Sequence, residues 1–227
     1  MGDADIVGDL RRLIAFDLDG TLIDSRRDLA DSANQLLGEL GRPALSLDAI
    51  TGMVGEGARV LIERALAASG LAEVPDALPR FLEIYDTRLL NFTRPYDGVV
   101  EAVELARGHA RVALLTNKPL KPSERILEAL GMRGLFDDVI GGDGAFPRKP
   151  DPTGLLELMA RANATPERTL MVGDSLIDQQ TASRASVRFC LAGYGFGFPR
   201  EQLTGDEWIV SDGPELVNAI ARFTAAG

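Results

Sequence analysis

The sequence predicts an α/β protein: a parallel sheet wrapped by helices, with a small helical unit inserted early in the chain. Short apolar or β-branched runs recur at LIAF, VALLT, DDVI, TLMVG, RFCLA and WIV. Between them lie longer segments with apolar residues at helical spacing, the alternation that a helix-wrapped parallel sheet produces. The first two runs stand much further apart than the roughly 30 residues of one βαβ unit. Something therefore separates them.

The elements follow in order. The opening MGDADIVGDLRR lacks a basic stretch ahead of an apolar one, and Ile6 stands where a myristoylation signal requires Ser or Thr. LIAF reads as the first strand and runs into DLDGT. Leu29, Ala33, Leu36, Leu37 and Leu40 then form one stripe of a helix that stops at Gly41 and Pro43. Two more helical segments follow, from Ala58 to Ser69 and from Ala77 to Asn91, the latter carrying Phe81, Leu82, Ile84, Tyr85 and Leu89. The expected division is a core of residues 1–24 and 96–227 and a helical cap of residues 25–95, with hinges near Ser25 and Tyr96.

Composition narrows the function. The 227 residues carry a formal charge of −10, which repels a phosphate backbone and argues against nucleic acid as a partner. A small anionic substrate remains open if positive charge is gathered locally. No stretch approaches membrane-spanning length, so no membrane is expected, and the single cysteine, Cys190, read as a buried strand residue, fits a reducing cytoplasm.

The chemistry starts at LIAFDLDGTLIDS. Along an extended chain Asp17 and Asp19 point the same way, with Cα atoms roughly 6–7 Å apart, while Leu18 turns inward. Two like charges this close resist joint ionisation unless a cation joins them. They stand where ligands bind in a parallel sheet, at a strand's carboxyl end, and Gly20 lets backbone approach a ligand. An Asp-Gly turn is the plain alternative. A calcium loop needs glycine at its sixth position, which counted from Asp17 is Leu22. On these residues alone, a metal or phosphate site and a turn both stand.

Three later segments bear on the choice. VALLTNK ends a strand with Thr116 and Asn117, whose hydroxyl and amide can bond a phosphoryl oxygen without adding charge. PRKPDP holds Lys149 between prolines, where an ammonium can neutralise phosphate and carboxylate together. LMVGDSLIDQQ ends a strand with Gly173, Asp174, Ser175 and Asp178. Ser175 and Asp178 also have the spacing of a helix capping box.

Together, DLDGT, LLTN, the loop lysine and GDSLID resemble the four ordered motifs of the haloacid dehalogenase superfamily of phosphohydrolases. The resemblance spans nearly the whole chain. It implies a doubly wound, Rossmann-like core, a helical cap and Mg²⁺ at the carboxyl edge. Carried over, Asp17 is the nucleophile that becomes an aspartyl phosphate, and Asp19 the acid and base. Asp17, Asp174 and the backbone carbonyl of Asp19 hold the metal. Thr116, Asn117 and Lys149 bind phosphate, and Asp178 orients Lys149 or a metal-bound water. Thr21 and Ser175 support the site. An acid at Asp19 points to phosphate release, not halide release, and the cap segment shows no residue set for returning phosphate to a sugar, which favours a hydrolase over a phosphomutase.

ITGMVGEGARVLIERAL offers helix-start amides after Gly55 and Gly57, with Arg59 and Arg64 nearby, to a carboxylate remote from the phosphate. Glu56 competes for those amides, and a glycine-rich turn is the plain reading. This segment, the Leu29 stripe and LLTNKP are similar to the phosphoglycolate phosphatases, which implies 2-phosphoglycolate as substrate. Pyrophosphate, sugar phosphates and nucleotides are the alternatives, and a non-catalytic phosphate-binding module a further one. The resemblance expects glycine where Ser186 stands, a departure at a helix end. His109 reads as an exposed loop residue, Trp208 as packing on a late strand, YGFGFP as a loop flanking the site or packing the sheet's end, and Lys118 as added charge near the site.

Overall fold

A computed structural model describes residues 11–225. The reading of the N-terminal segment, including Ile6, falls largely on residues 1–10, outside those described. In chain order the elements are β1 (Leu13–Phe16), β2 (Ile23–Asp24), α1 (Arg26–Glu39), α2 (Leu47–Thr51), α3 (Ala58–Ala68), α4 (Ala77–Asp86), β3 (Arg94–Pro95), α5 (Val99–His109), β4 (Arg111–Leu115), α6 (Leu120–Ala129), β5 (Asp138–Ile140), α7 (Thr153–Ala162), β6 (Thr169–Gly173), α8 (Leu176–Arg184), β7 (Arg188–Ala192), β8 (Trp208–Val210) and α9 (Gly213–Ala225).

Six strands form one parallel sheet in the order β5-β4-β1-β6-β7-β8. Counted along the sheet strands alone, the chain runs outward from β1 to β4 and β5, then returns to β6 on β1's other side and runs to β8. This is the doubly wound Rossmann-like fold, with the reversal of strand order between β1 and β6, where such sheets open a crevice at their carboxyl ends. β1 shows the two-residue alternation directly. Ile14 and Phe16 join one core with Val103 of α5, Ile126 of α6 and Ile220 of α9. Leu13 and Ala15 join a second, with Leu155 and Leu158 of α7 and Ala182 of α8. Both faces are covered, which is why β1 reads as an unbroken apolar run.

The segment between β2 and β3 carries α1 to α4. They pack on one another through Leu36, Leu61 and Phe81, all buried. The chain enters and leaves this segment through a two-stranded antiparallel ladder, with Ile23 opposite Pro95 and Asp24 opposite Arg94. Buried Asp28 closes the same neck. Its carboxylate accepts from the backbone N–H of Phe92 (2.9 Å) and Thr93 (2.8 Å) and from the Thr93 hydroxyl (2.7 Å).

Each of the six apolar runs forms a strand. α1 ends at Glu39 with Gly41 at φ 70°, as its stop signal requires. Two helical expectations change. The segment from Ala77 is helical only to Asp86 and continues in turns to Asn91. α2, which the reading did not include, is a single turn capped by Ser46. His109 is exposed but closes α5 instead of standing in a loop. Trp208 lies in β8 under the guanidinium groups of Arg188 and Arg222, and Cys190 is buried in β7. Ser186 stands just past α8 at φ 57°, the left-handed region where a glycine is expected. Among the described residues no helix is long and apolar enough to cross a membrane.

Candidate active site

The carboxyl ends of β1 and β6 bring Asp17 and Asp174 together. Asp17 leaves β1 with its backbone N–H bonded to Val172 of β6 (2.9 Å), so neighbouring strands fix its place. Carboxylate oxygens of Asp17, Asp174 and Asp178 lie within 4.8 Å of one another, and all three residues are buried. Close packing requires the glycines here. A Cβ on Gly20, whose φ is 89°, falls 2.1 Å from the Asp174 carboxylate, and one on Gly173 falls 2.4 Å from the Asp178 side chain.

Lys149 lies between two of these acids. Its Nζ donates to Asp17 Oδ1 at 2.7 Å and to Asp178 Oδ1 at 2.6 Å. Asp178 keeps its other oxygen for the start of α8, where Oδ2 accepts from the Ser175 hydroxyl (2.6 Å) and backbone N–H (3.1 Å). The capping box and the grip on Lys149 are thus one residue's two faces. Among the described residues Asp174 has neutral donors at hydrogen-bond distance: the backbone N–H of Phe196 (2.8 Å) and the Thr21 hydroxyl (3.3 Å). The YGFGFP loop therefore flanks the site, and the hydroxyl of Tyr194 also holds the Thr21 carbonyl (2.9 Å).

Electrostatics follows from this burial. Burial pushes Asp17 up to about 6, with Asp178 adding to the rise and Lys149 opposing it. Asp174 is raised well above the usual carboxylate range, first by burial and then by Asp178 and Asp17. Burial also works against the Lys149 ammonium, but Asp17 and Asp178 outweigh it and hold the lysine above its ordinary value. Three buried carboxylates facing one ammonium carry surplus negative charge. A hard, oxygen-seeking divalent cation suits this all-oxygen donor set.

Asp19 is turned elsewhere. Its carboxylate accepts from Lys118 Nζ at 3.0 Å on both oxygens and from the Ser25 hydroxyl at 2.5 Å. Lys118 also donates to the hydroxyl of Tyr85, on α4, at 2.6 Å. Asp19 adds no carboxylate to the acidic cluster. Beside it lies a cavity of about 50 Å³. Its walls are largely apolar, with Leu61, Phe81 and Tyr85 on the side of the inserted helices and Thr116 on the sheet side. Among the described lining residues Lys118 is the one cation.

Thr116 and Asn117 follow β4 as expected and are buried. The Asn117 amide is already engaged: Nδ2 donates to the carbonyls of Gly55 and Lys149, each at 2.9 Å. It ties the glycine loop of the inserted segment to the lysine loop and has no N–H left for a phosphoryl oxygen. Gly55 and Gly57 border the cavity, but Arg59 is exposed and does not line it. Arg64 pairs with Glu56 on the surface. Sequence reasoning ranked Lys118 below Lys149 and missed Ser25 and Tyr85. Tyr85 looked like any apolar-stripe residue, and only its hydroxyl, in a buried helix face, hinted otherwise.

The sequence pattern of the haloacid dehalogenase-like hydrolases matches residues 14–192. The chain belongs to this hydrolase family. The match runs from β1 to the end of β7 and so includes every acid and lysine of the site. Among its relatives, a phosphoglycolate phosphatase of Cereibacter sphaeroides is 41% identical over 219 residues, covering 93% of this chain and 99% of the relative. A phosphoglycolate phosphatase of Pseudomonas putida is 41% identical over 200 residues, covering 85% of this chain and 73% of the relative. A crystal structure described as a predicted phosphoglycolate phosphatase from Haemophilus somnus superposes with a TM-score of 0.84 at 31% identity, covering 92% of this chain and 97% of that one.

Proposed function

We propose that this hydrolase is a Mg²⁺-dependent phosphatase that converts 2-phosphoglycolate to glycolate through an aspartyl phosphate on Asp17. The observation that carries the reading is the buried group Asp17, Lys149, Asp174 and Asp178 at the sheet's switch point. Two units divide the work: residues 1–24 and 96–227 form the core, and residues 25–95 form a cap that closes the leaving-group side. The small cavity supports a two-carbon leaving group, and the relatives' names support phosphoglycolate in particular. The single buried thiol, Cys190, supports a cytoplasmic setting.

An oxygen of Asp17 attacks phosphorus while the bond to the ester oxygen breaks, and Asp19, which enters this step as the carboxylic acid, gives that oxygen its proton. Asp19 then takes a proton from water as the water attacks phosphorus. The bond to Asp17 breaks, phosphate leaves and the carboxylate is restored. Lys149 and Thr116 bind phosphoryl oxygens as charge spreads over them. Asp17 and Asp174, with the Asp19 carbonyl, would hold Mg²⁺, whose charge offsets the repulsion between carboxylate and phosphoryl group. Asp178 keeps Lys149 aimed at Asp17.

The test is kcat/KM for 2-phosphoglycolate, pyrophosphate, sugar phosphates and nucleotides, with Mg²⁺ and with EDTA. Phosphoglycolate should lead by at least about tenfold, the discrimination that one well-placed polar contact gives, and EDTA should abolish turnover. A different leading ester would replace the substrate and leave the mechanism standing. Absence of Mg²⁺-dependent turnover on every ester would instead favour a phosphate-binding module.

A further inference from the structure

Each aspartate of DLDGT has its own lysine. Lys149 reaches Asp17 from the sheet side, and Lys118 reaches Asp19 from the side facing the inserted helices. Lys118 is 6% exposed, and its Nζ donates to both Asp19 oxygens and to the Tyr85 hydroxyl. Burial opposes its charge, yet Asp19 and Tyr85 hold it above the ordinary lysine range. Ser25 completes the clamp. It occupies the N-cap position of α1, yet its hydroxyl caps no backbone N–H and donates to Asp19. A side chain of a type that ordinarily caps a helix is here turned to the carboxylate.

We infer that Lys118 is a positioning residue that fixes the Asp19 carboxyl group beside the leaving oxygen, and that Tyr85 ties this position to the inserted helices. The inference rests on the reading of Asp19 as proton donor. A carboxylate bonded on both oxygens has one orientation. Released from Lys118 it rotates, and a displacement of about 1 Å at a reacting group costs roughly 10²-fold in rate.

The leaving group separates this role from general support of the site. Acetyl phosphate and 2-phosphoglycolate both carry two-carbon leaving groups. Acetate leaves without a proton at neutral pH, whereas the alkoxide of glycolate requires one. Release of each leaving group is followed in the first turnover by rapid quench. Lys118→Met should slow glycolate release roughly 10²-fold and acetate release less than about fivefold. Tyr85→Phe, which removes one hydroxyl without changing the packing shape, should slow glycolate release about three- to tenfold with the same bias.

Asp19→Ala is the reference. If it shows no leaving-group bias, the proton-donor reading itself fails. If it shows the bias while Lys118→Met slows both substrates equally or neither, the positioning role is overturned and the donor reading stands. Should Lys118→Met fail to fold, Tyr85→Phe decides alone, and an unbiased first turnover overturns the inference.

Discussion

Asp17 and Asp19 are separated by one leucine, yet they belong to different regions of the molecule. Every side-chain support of Asp17 comes from the carboxyl edge of the sheet: Lys149 from the loop before α7, itself held by Asp178 at the start of α8. Asp19 is held by Lys118 from the end of β4 and by Ser25 at the start of α1, and Tyr85 of α4 holds Lys118 in turn. Parallel strands with matched register set the first group of distances, and no inserted helix is needed for them. One contact of the second group, Lys118 to Tyr85, is supplied by α4 of the inserted segment. The half assigned to phosphorus is therefore built into the core, while the half assigned to the proton is assembled between core and insertion.

The sharpest way to break this contrast is to remove each carboxylate in turn. Asp17→Asn should leave Mg²⁺-dependent hydrolysis of 2-phosphoglycolate at background, because the attacking oxygen is gone. Asp19→Asn should cost on the order of 10²- to 10⁴-fold, the usual worth of a positioned acid and base. Steady-state rates with both variants check this. Near-normal turnover by Asp17→Asn, or equal losses from the two, would end the division of labour.

A smaller effect should appear at the neck of the insertion. Asp28 accepts three donors from residues 92 and 93, within a buried pocket. Asp28→Ala strands two backbone N–H groups and a hydroxyl, which should cost about 2–3 kcal/mol of stability. Urea melts give this from the midpoint at constant slope. An unchanged midpoint would mean that the return strand is held by packing alone, and that the neck is looser than the ladder of β2 and β3 suggests.

The same contrast explains what could be read from the sequence. The sheet half was legible because strands alternate with a fixed period and deliver side chains to one edge. Asp17 and Asp174 follow from apolar runs that stop at polar residues, and Lys149 from a loop held between prolines. Asp178 carried two readings, cap and lysine partner, and the structure has both because a carboxylate has two oxygens. The other half was obscure because its contacts, Asp19 to Lys118 at 99 positions apart and Lys118 to Tyr85 at 33, depend on how the helices pack on the sheet. Nothing in FLEIYD says which way Tyr85 points, and TNK does not say that Lys118 turns from phosphate toward Asp19. The Asn117 amide was legible as a polar group but not as one already spent on Gly55 and Lys149.

The last test concerns the acidic cluster itself and acts through protons. Burial raises Asp17 to about 6 and holds Asp174 well above the usual carboxylate range. A carboxyl raised on folding binds its proton more tightly in the folded chain than in the unfolded one. Its contribution favours the folded state at acid pH and fades as pH rises through the folded value. A divalent cation requires the ionised form, so it must displace those protons. The gain in thermal stability from Mg²⁺ should therefore be largest near pH 8 and shrink through pH 6. Apparent affinity should fall about tenfold per pH unit for each proton displaced. The Asp19 side chain lies outside this cluster, so Asp19→Asn should leave the pH dependence of the Mg²⁺ shift in place, while Asp174→Asn should remove the shift. Melting temperatures with MgCl₂ and with EDTA across pH 5 to 8 decide the matter. A shift that is constant across this range would mean that the cation does not bind through these buried carboxylates.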